Sequence, residues 1–155
     1  MKYALILTAL ALAPAANAGD IHFEVGAANA SYRWTDTHYA RISARFGEDK
    51  WALGMAHVGE QSFNTCEPWS CPVYAYRQLF IDVTRYVRWR AIELGVGPAI
   101  GQHMTRITPA HLNFHISLGL RYKRATLTLH HYSNAGTSPT GYNMGQDAVT
   151  IGWAF

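Results

Sequence analysis

Residues Leu112–Tyr122 read LNFHISLGLRY. Leu112, Phe114, Ile116, Leu118, Leu120 and Tyr122 fall on one side of a period-two pattern. Asn113, His115, Ser117, Gly119 and Arg121 fall on the other. Such alternation is the mark of a β-strand, whose successive side chains point to opposite faces. One face is bulky and apolar, and the other is small, polar or charged. A soluble sandwich puts its bulk inside and its charge outside. A small membrane barrel does the reverse, with an apolar exterior and a narrow interior filled by small and polar side chains. Gly119 and Ser117 opposite leucine and isoleucine fit the barrel.

The same pattern recurs in both directions along the chain. It predicts strands over Ile21–Ala28, Tyr39–Phe46, Trp51–Gly59, Tyr74–Thr84, Trp89–Ile100, Ala125–Ser133 and Gln146–Phe155. With Leu112–Tyr122 that makes eight, an even number. The expected fold is all-β, an eight-stranded antiparallel transmembrane β-barrel over residues 19–155. Short turns are expected at Gly47–Lys50, near Arg85 and at Lys123–Arg124. Longer connections are expected at Asn29–His38, Glu60–Val73, Gly101–Ala110 and Asn134–Gly145. Pro98 cannot donate to a ladder, so the strand around it is expected to be irregular. Val149, Ile151, Trp153 and Phe155 share a face, and a terminal aromatic strand of this kind resembles the assembly signal of bacterial outer-membrane barrels. By that resemblance both termini and the short turns lie in the periplasm, and the long loops face outward.

Composition agrees. Aromatic residues make up 13% of the chain and charged residues only 15%, where a soluble domain is nearer ~25% charged. Beyond the N-terminus no stretch approaches the ~18 consecutive apolar residues of a membrane helix. A net charge of +3, with no dense basic track, argues against a nucleic-acid partner. Lys2, the apolar run Ala4–Leu12 and Ala16-Asn17-Ala18 read as a secretory signal peptide over residues 1–18, with a mature start near Gly19. Cys66 and Cys71 sit in a loop with prolines and a tryptophan. In an exported chain they are expected to form a disulfide. A metal pair is the alternative, disfavoured by the lack of other cysteines and of histidine in the loop.

The chemistry-bearing residues gather near the C-terminus. A serine hydroxyl is a weak nucleophile without a base within reach. Ser133 has His131 two residues earlier, on the same face of one strand. His130 and Tyr132 point the other way, so His130 is not that base, and the adjacent imidazoles cannot share a metal. A catalytic imidazole also needs an acceptor on its second nitrogen. Asp147 is the only carboxylate after Glu93, and it opens the strand expected to pair with that of His131. All three interrupt an otherwise apolar face. Two readings stay open on geometry alone: a Ser–His–Asp site, or a polar rim where strands meet lipid headgroups.

The run His131-Tyr132-Ser133-Asn134-Ala135-Gly136, followed by Pro139 and by Asn143-x-Gly145-x-Asp147, resembles the signature of the PagL family of outer-membrane lipid A 3-O-deacylases. The resemblance implies a multi-pass protein of the bacterial outer membrane, acting on lipid A or lipopolysaccharide without metal or other cofactor. It implies Ser133 as nucleophile, His131 as base and Asp147 as acid, with Asn134 and the Gly136 N–H as oxyanion hole. It leaves room for a homodimer. The best-known members carry glutamate where this chain has Asp147, so with the shorter side chain the contact to His131 either closes through backbone position or is weaker. A non-catalytic outer-membrane barrel, structural or adhesive, is the alternative function.

Overall fold

A computed structural model describes residues 19–30, 33–64, 72–105, 107–134 and 144–155, without the side chains of 33–36, 63–64 and 72–73. The strands are β1 (Ile21–Ala30), β2 (Arg33–Phe46), β3 (Trp51–Val58), β4 (Gln61–Asn64), β5 (Pro72–Ala75), β6 (Gln78–Trp89), β7 (Ile92–Gly101), β8 (Leu112–Tyr122), β9 (Ala125–Ser133) and β10 (Gln146–Ala154). Eight of them close a barrel in the order β1-β10-β9-β8-β7-β6-β3-β2, every neighbour antiparallel. β4 and β5 form a separate two-stranded hairpin. The fold class is the one expected from the alternation. The expected signal peptide and the Cys66–Cys71 pair lie outside the described residues.

Closure leaves no barrel strand with an open edge, so the backbone polar groups can be paired across the ladders. Each of the eight strands turns large apolar side chains outward, from Phe23 on β1 to Ile116 and Leu118 on β8 and Ile151 on β10. The strands are 8 to 14 residues long, spanning the ~9–11 residues that a tilted strand needs to cross a bilayer. This is a surface built for an apolar solvent.

The interior is polar, and larger in its side chains than the expected small-residue fill. Arg41 is fully buried. Its guanidinium donates to Asp82 at 2.8 and 3.3 Å, to Glu24 at 3.1 Å and to Ser43 at 3.1 Å. Gly54 makes room for this, since a Cβ there would stand 2.3 Å from the Arg41 Nη2. Nearer the short-turn end, Arg45 makes a bidentate pair with Glu93 at 2.9 and 3.1 Å. Buried charge is tolerable when it is paired and hydrogen-bonded in this way. Around this ionic centre the rings of Phe80, Tyr132, His115, His130 and Tyr39 stack in sequence, with centroids 4.4 to 5.3 Å apart.

Several boundaries differ from expectation, each for a local reason. β1 and β2 run on into the expected Asn29–His38 loop, reaching the Ala30↔Arg33 pair through an irregularity after Ala28. The alanine-rich end of β1 hides its alternation. The expected Tyr74–Thr84 strand is two elements: β5 ends at Ala75 and β6 begins at Gln78. β6 passes straight through Arg85, and the turn lies at Arg90 and Ala91. Arg85 continues the strand, paired with Trp51 on β3 and with Val96 on β7, and its guanidinium lies over the Trp51 ring, 5.4 Å from its centroid. At Pro98 the β6–β7 ladder is interrupted: it pairs Asp82↔Ala99, then resumes at Arg85↔Val96. Gly97 belongs to this gap, where a Cβ would stand 1.8 Å from the Val83 carbonyl oxygen.

The three short turns lie at one end of the barrel together with both ends of the described chain. There Gly19 N–H donates to the Arg45 carbonyl and Phe155 N–H to that of Ile21, both at 2.9 Å. At the opposite end Ala30, Ala75, Ile107 and Met144 form a small buried cluster over the mouth. The β4/β5 hairpin, through Ala75, is part of this cap.

Candidate active site

β9 and β10 pair from Trp153↔Ala125 to Gln146↔Tyr132, with Leu129↔Val149 followed by His131↔Asp147 toward the loop end. Leu127 and Leu129 are exposed on the barrel wall, whereas Thr128 and His130 are buried inside. His131 therefore faces outward by parity, as does Asp147 by the parity of Val149 and Ile151. Both side chains are partly exposed, at 38% and 43%.

The two are direct cross-strand partners, and His131 Nδ1 lies 2.6 Å from Asp147 Oδ1. Direct pairing brings Cβ atoms to about 4.5–5.5 Å, which is how a carboxylate as short as aspartate reaches the ring. Holding Nδ1 on the carboxylate leaves Nε2 as the nitrogen open to a hydroxyl.

Ser133 ends β9 on the same face and is half-buried. It stands two residues beyond His131, about 7 Å along the strand at the usual rise. Across the ladder, His131 pairs with Ile116 and Ser133 with Phe114 on β8. Both β8 side chains are exposed, as are Leu129 and Val149 toward the middle of the barrel. The polar group is thus set into a wall of aliphatic and aromatic surface. Asn134 follows Ser133 and is fully buried, with the inward parity of Tyr132. Gly136 lies outside the described residues. His130, excluded from the site on parity, is inside the barrel: its Nδ1 is 3.0 Å from His115 Nε2 and its Nε2 is 3.2 Å from the Thr150 hydroxyl. Among the described residues no three His, Cys, Asp or Glu side chains gather closely enough to hold a metal ion.

One support of the site carries no sequence signal. Gln146, the neighbour of Asp147, accepts from Gln61 Nε2 at 2.6 Å and donates through its own Nε2 to the Asn29 carbonyl. The start of β10 is thereby tied both to β1 and to the β4/β5 hairpin. Two glutamines 85 residues apart give no hint of contact in a single sequence.

No protein-family model matches the chain, and no curated protein matches it. Among solved structures the barrel is similar to the crystal structure of the outer membrane enzyme PagL, with a TM-score of 0.53 and 18% sequence identity. That likeness covers 88% of this chain and 98% of the other. At this identity the likeness is one of fold.

Proposed function

We propose that this chain is a serine esterase of the bacterial outer membrane that removes the 3-O-linked acyl chain of lipid A. The observation that carries the reading is the 2.6 Å contact between His131 and Asp147 on the outer wall, with Ser133 on the same face of the same strand. Polar and ionisable groups on a lipid-facing surface are expensive, and they point to function by default. The likeness in fold to an outer membrane enzyme favours the same conclusion, as does the apolar belt around the barrel.

In this mechanism an acyl chain lies along the wall formed by Ile116, Phe114 and Leu129. His131 Nε2 takes the Ser133 proton as Oγ attacks the ester carbonyl, and a tetrahedral oxyanion forms. Backbone N–H groups of Asn134 and Gly136 stabilise it, the Asn134 side chain being buried inward, and each such donor contributes about 3–4 kcal/mol in comparable hydrolases. Asp147 keeps the imidazole in the productive tautomer and stabilises the imidazolium. The bond between the acyl carbon and the sugar oxygen breaks, and His131 gives the proton to that departing oxygen, leaving a sugar hydroxyl and an acyl-Ser133 ester. Water, deprotonated by His131, then attacks the acyl-enzyme and releases the fatty acid, restoring the Ser133 hydroxyl.

Active-site labelling tests the nucleophile. A fluorophosphonate carrying an alkyl chain should modify the purified barrel once, at Ser133. His131→Ala should slow the reaction by orders of magnitude while leaving the barrel folded. Labelling at another serine, or at an undiminished rate without the imidazole, would remove the assignment.

A further inference from the structure

The short-turn end of the barrel is unevenly charged. Among the described residues its acids are Asp20, Glu48, Asp49 and Glu93. Lys50 is ion-paired with Glu48, Arg45 with Glu93, Arg88 with Glu93 and Asp49, and Arg121 with Asp20 and Asp49, so these four cations balance the four acids. Arg85, Arg90, Lys123 and Arg124 stand at the same end, all exposed, and none has an acidic partner among the described residues. They leave an excess of four positive side-chain charges, more than the +3 of the whole chain, so the remainder of the molecule is net negative.

Three of these cations lie over aromatic rings of the outer wall. The Arg85 guanidinium is 5.4 Å from the centroid of Trp51, which opens β3 directly after the Gly47–Lys50 turn. Arg90 lies 5.1 Å from the centroid of Trp89, and Lys123 5.5 Å from that of Tyr122. All are within cation–π range. Trp89 and Tyr122 end β6 and β8 and are largely exposed, at the level where the aromatic girdle of a membrane barrel meets lipid headgroups. The backbone adds a separate sign. Arg90 and Lys123 open the two-residue turns after β6 and β8 with φ of 55° and 54°. That left-handed conformation favours glycine or asparagine, the usual residues of such turns. A long cation stands at both positions against that preference, and outliers of this kind point to function.

We infer that the short-turn rim is a docking belt for phospholipids with a net-negative headgroup, their phosphates against Arg85, Arg90, Lys123 and Arg124 and their acyl chains along the wall. The inference needs the barrel in a bilayer and is independent of the esterase reading. Guanidinium and ammonium groups without acids beside them suit phosphate oxygens. A headgroup that carries its own ammonium brings like charge to the rim, so the anionic class is preferred. A soluble anion would satisfy the cations alone, whereas a phospholipid also covers the exposed side chains of Val87 and Leu120 next to them. Neighbouring hairpin turns stand two strand spacings apart, about 10 Å, so the belt meets several headgroups.

Native mass spectrometry of the detergent-released barrel reads the lipid that it retains. With phosphatidylglycerol and phosphatidylethanolamine supplied in equal amounts, the unaltered protein should keep the first in excess, and added salt should erase the excess by screening exposed charge. Each cation near an anionic lipid contributes about fivefold in affinity, so Arg85→Gln/Arg90→Gln/Lys123→Gln/Arg124→Gln should weaken the preference by at least about tenfold. Arg77→Gln removes an exposed cation before β6, at the loop end, and should leave the preference intact. Equal retention of the two lipids by the unaltered protein overturns the belt. So does a preference that survives in the fourfold variant or is lost equally in Arg77→Gln. Displacement of phosphatidylglycerol by equimolar inorganic phosphate would make the rim a site for free anions and also overturns it. If the fourfold variant fails to fold, salt decides: a preference that salt leaves unchanged overturns the belt.

Discussion

His131 and Asp147 are direct register partners on neighbouring strands, and their side chains meet at 2.6 Å on the outside of the barrel. A carboxylate in that position selects the tautomer with hydrogen on Nδ1. Asp147→Asn keeps the shape and removes the charge. It should lower kcat on an acyl ester by a factor on the order of 10²–10⁴ with KM within a few fold. Steady-state kinetics in mixed micelles measure this, and a change confined to KM would assign Asp147 to binding instead.

The same pair should contribute little to folding. Both side chains are more than a third exposed, and exposed ion pairs are worth about 0–1 kcal/mol. His131→Ala and Ser133→Ala should therefore unfold in urea within about 1 kcal/mol of the parent. A much larger loss would mean that these residues hold the strand end together, and that activity losses in the variants report folding.

Stability resides in the interior. Asp82 accepts two bonds from the Arg41 guanidinium, and both side chains are almost wholly buried. Removing one partner strands the other, at a cost of about 3–5 kcal/mol. Asp82→Ala should accordingly lower the urea midpoint or block assembly in the bilayer. Replacing Arg41, Asp82 and Glu24 together with apolar residues should cost less than Asp82→Ala alone, which a side-by-side unfolding series would check.

A depth profile tests the membrane placement. Leu118 is 50% exposed near the middle of β8, whereas Tyr122 ends that strand beside the short turn. Leu118→Arg should destabilise the barrel by about 2–4 kcal/mol in lipid, and Tyr122→Arg by about 0–1 kcal/mol. Equal costs at the two positions would argue against a bilayer around this belt.

The face chemistry of β8, β9 and β10 was readable from the chain alone, because those strands alternate over nine or more residues without interruption. The outward placement of His131, Ser133 and Asp147 followed from the same parity. The β4/β5 hairpin escaped because four residues per strand carry too little period-two signal to separate from a loop. Arg85 looked like a turn residue, since a charge between Val83 and Val87 breaks an apolar face; its place over Trp51 depends on the Trp51↔Arg85 register. The interior network was legible only as separate polar residues. Arg41 meets Glu24 and Asp82 through strand register and shear, which no single strand encodes.

The most direct measurement is the mass of lipid A from a Gram-negative host expressing the chain. With the unaltered protein, lipid A should lose the mass of one 3-O-linked hydroxyacyl chain, and with Ser133→Ala, inserted to the same level, it should not. Lipid A of unchanged mass in the presence of a correctly inserted barrel, or the same loss in both hosts, would contradict a serine esterase centred on residues 131, 133 and 147.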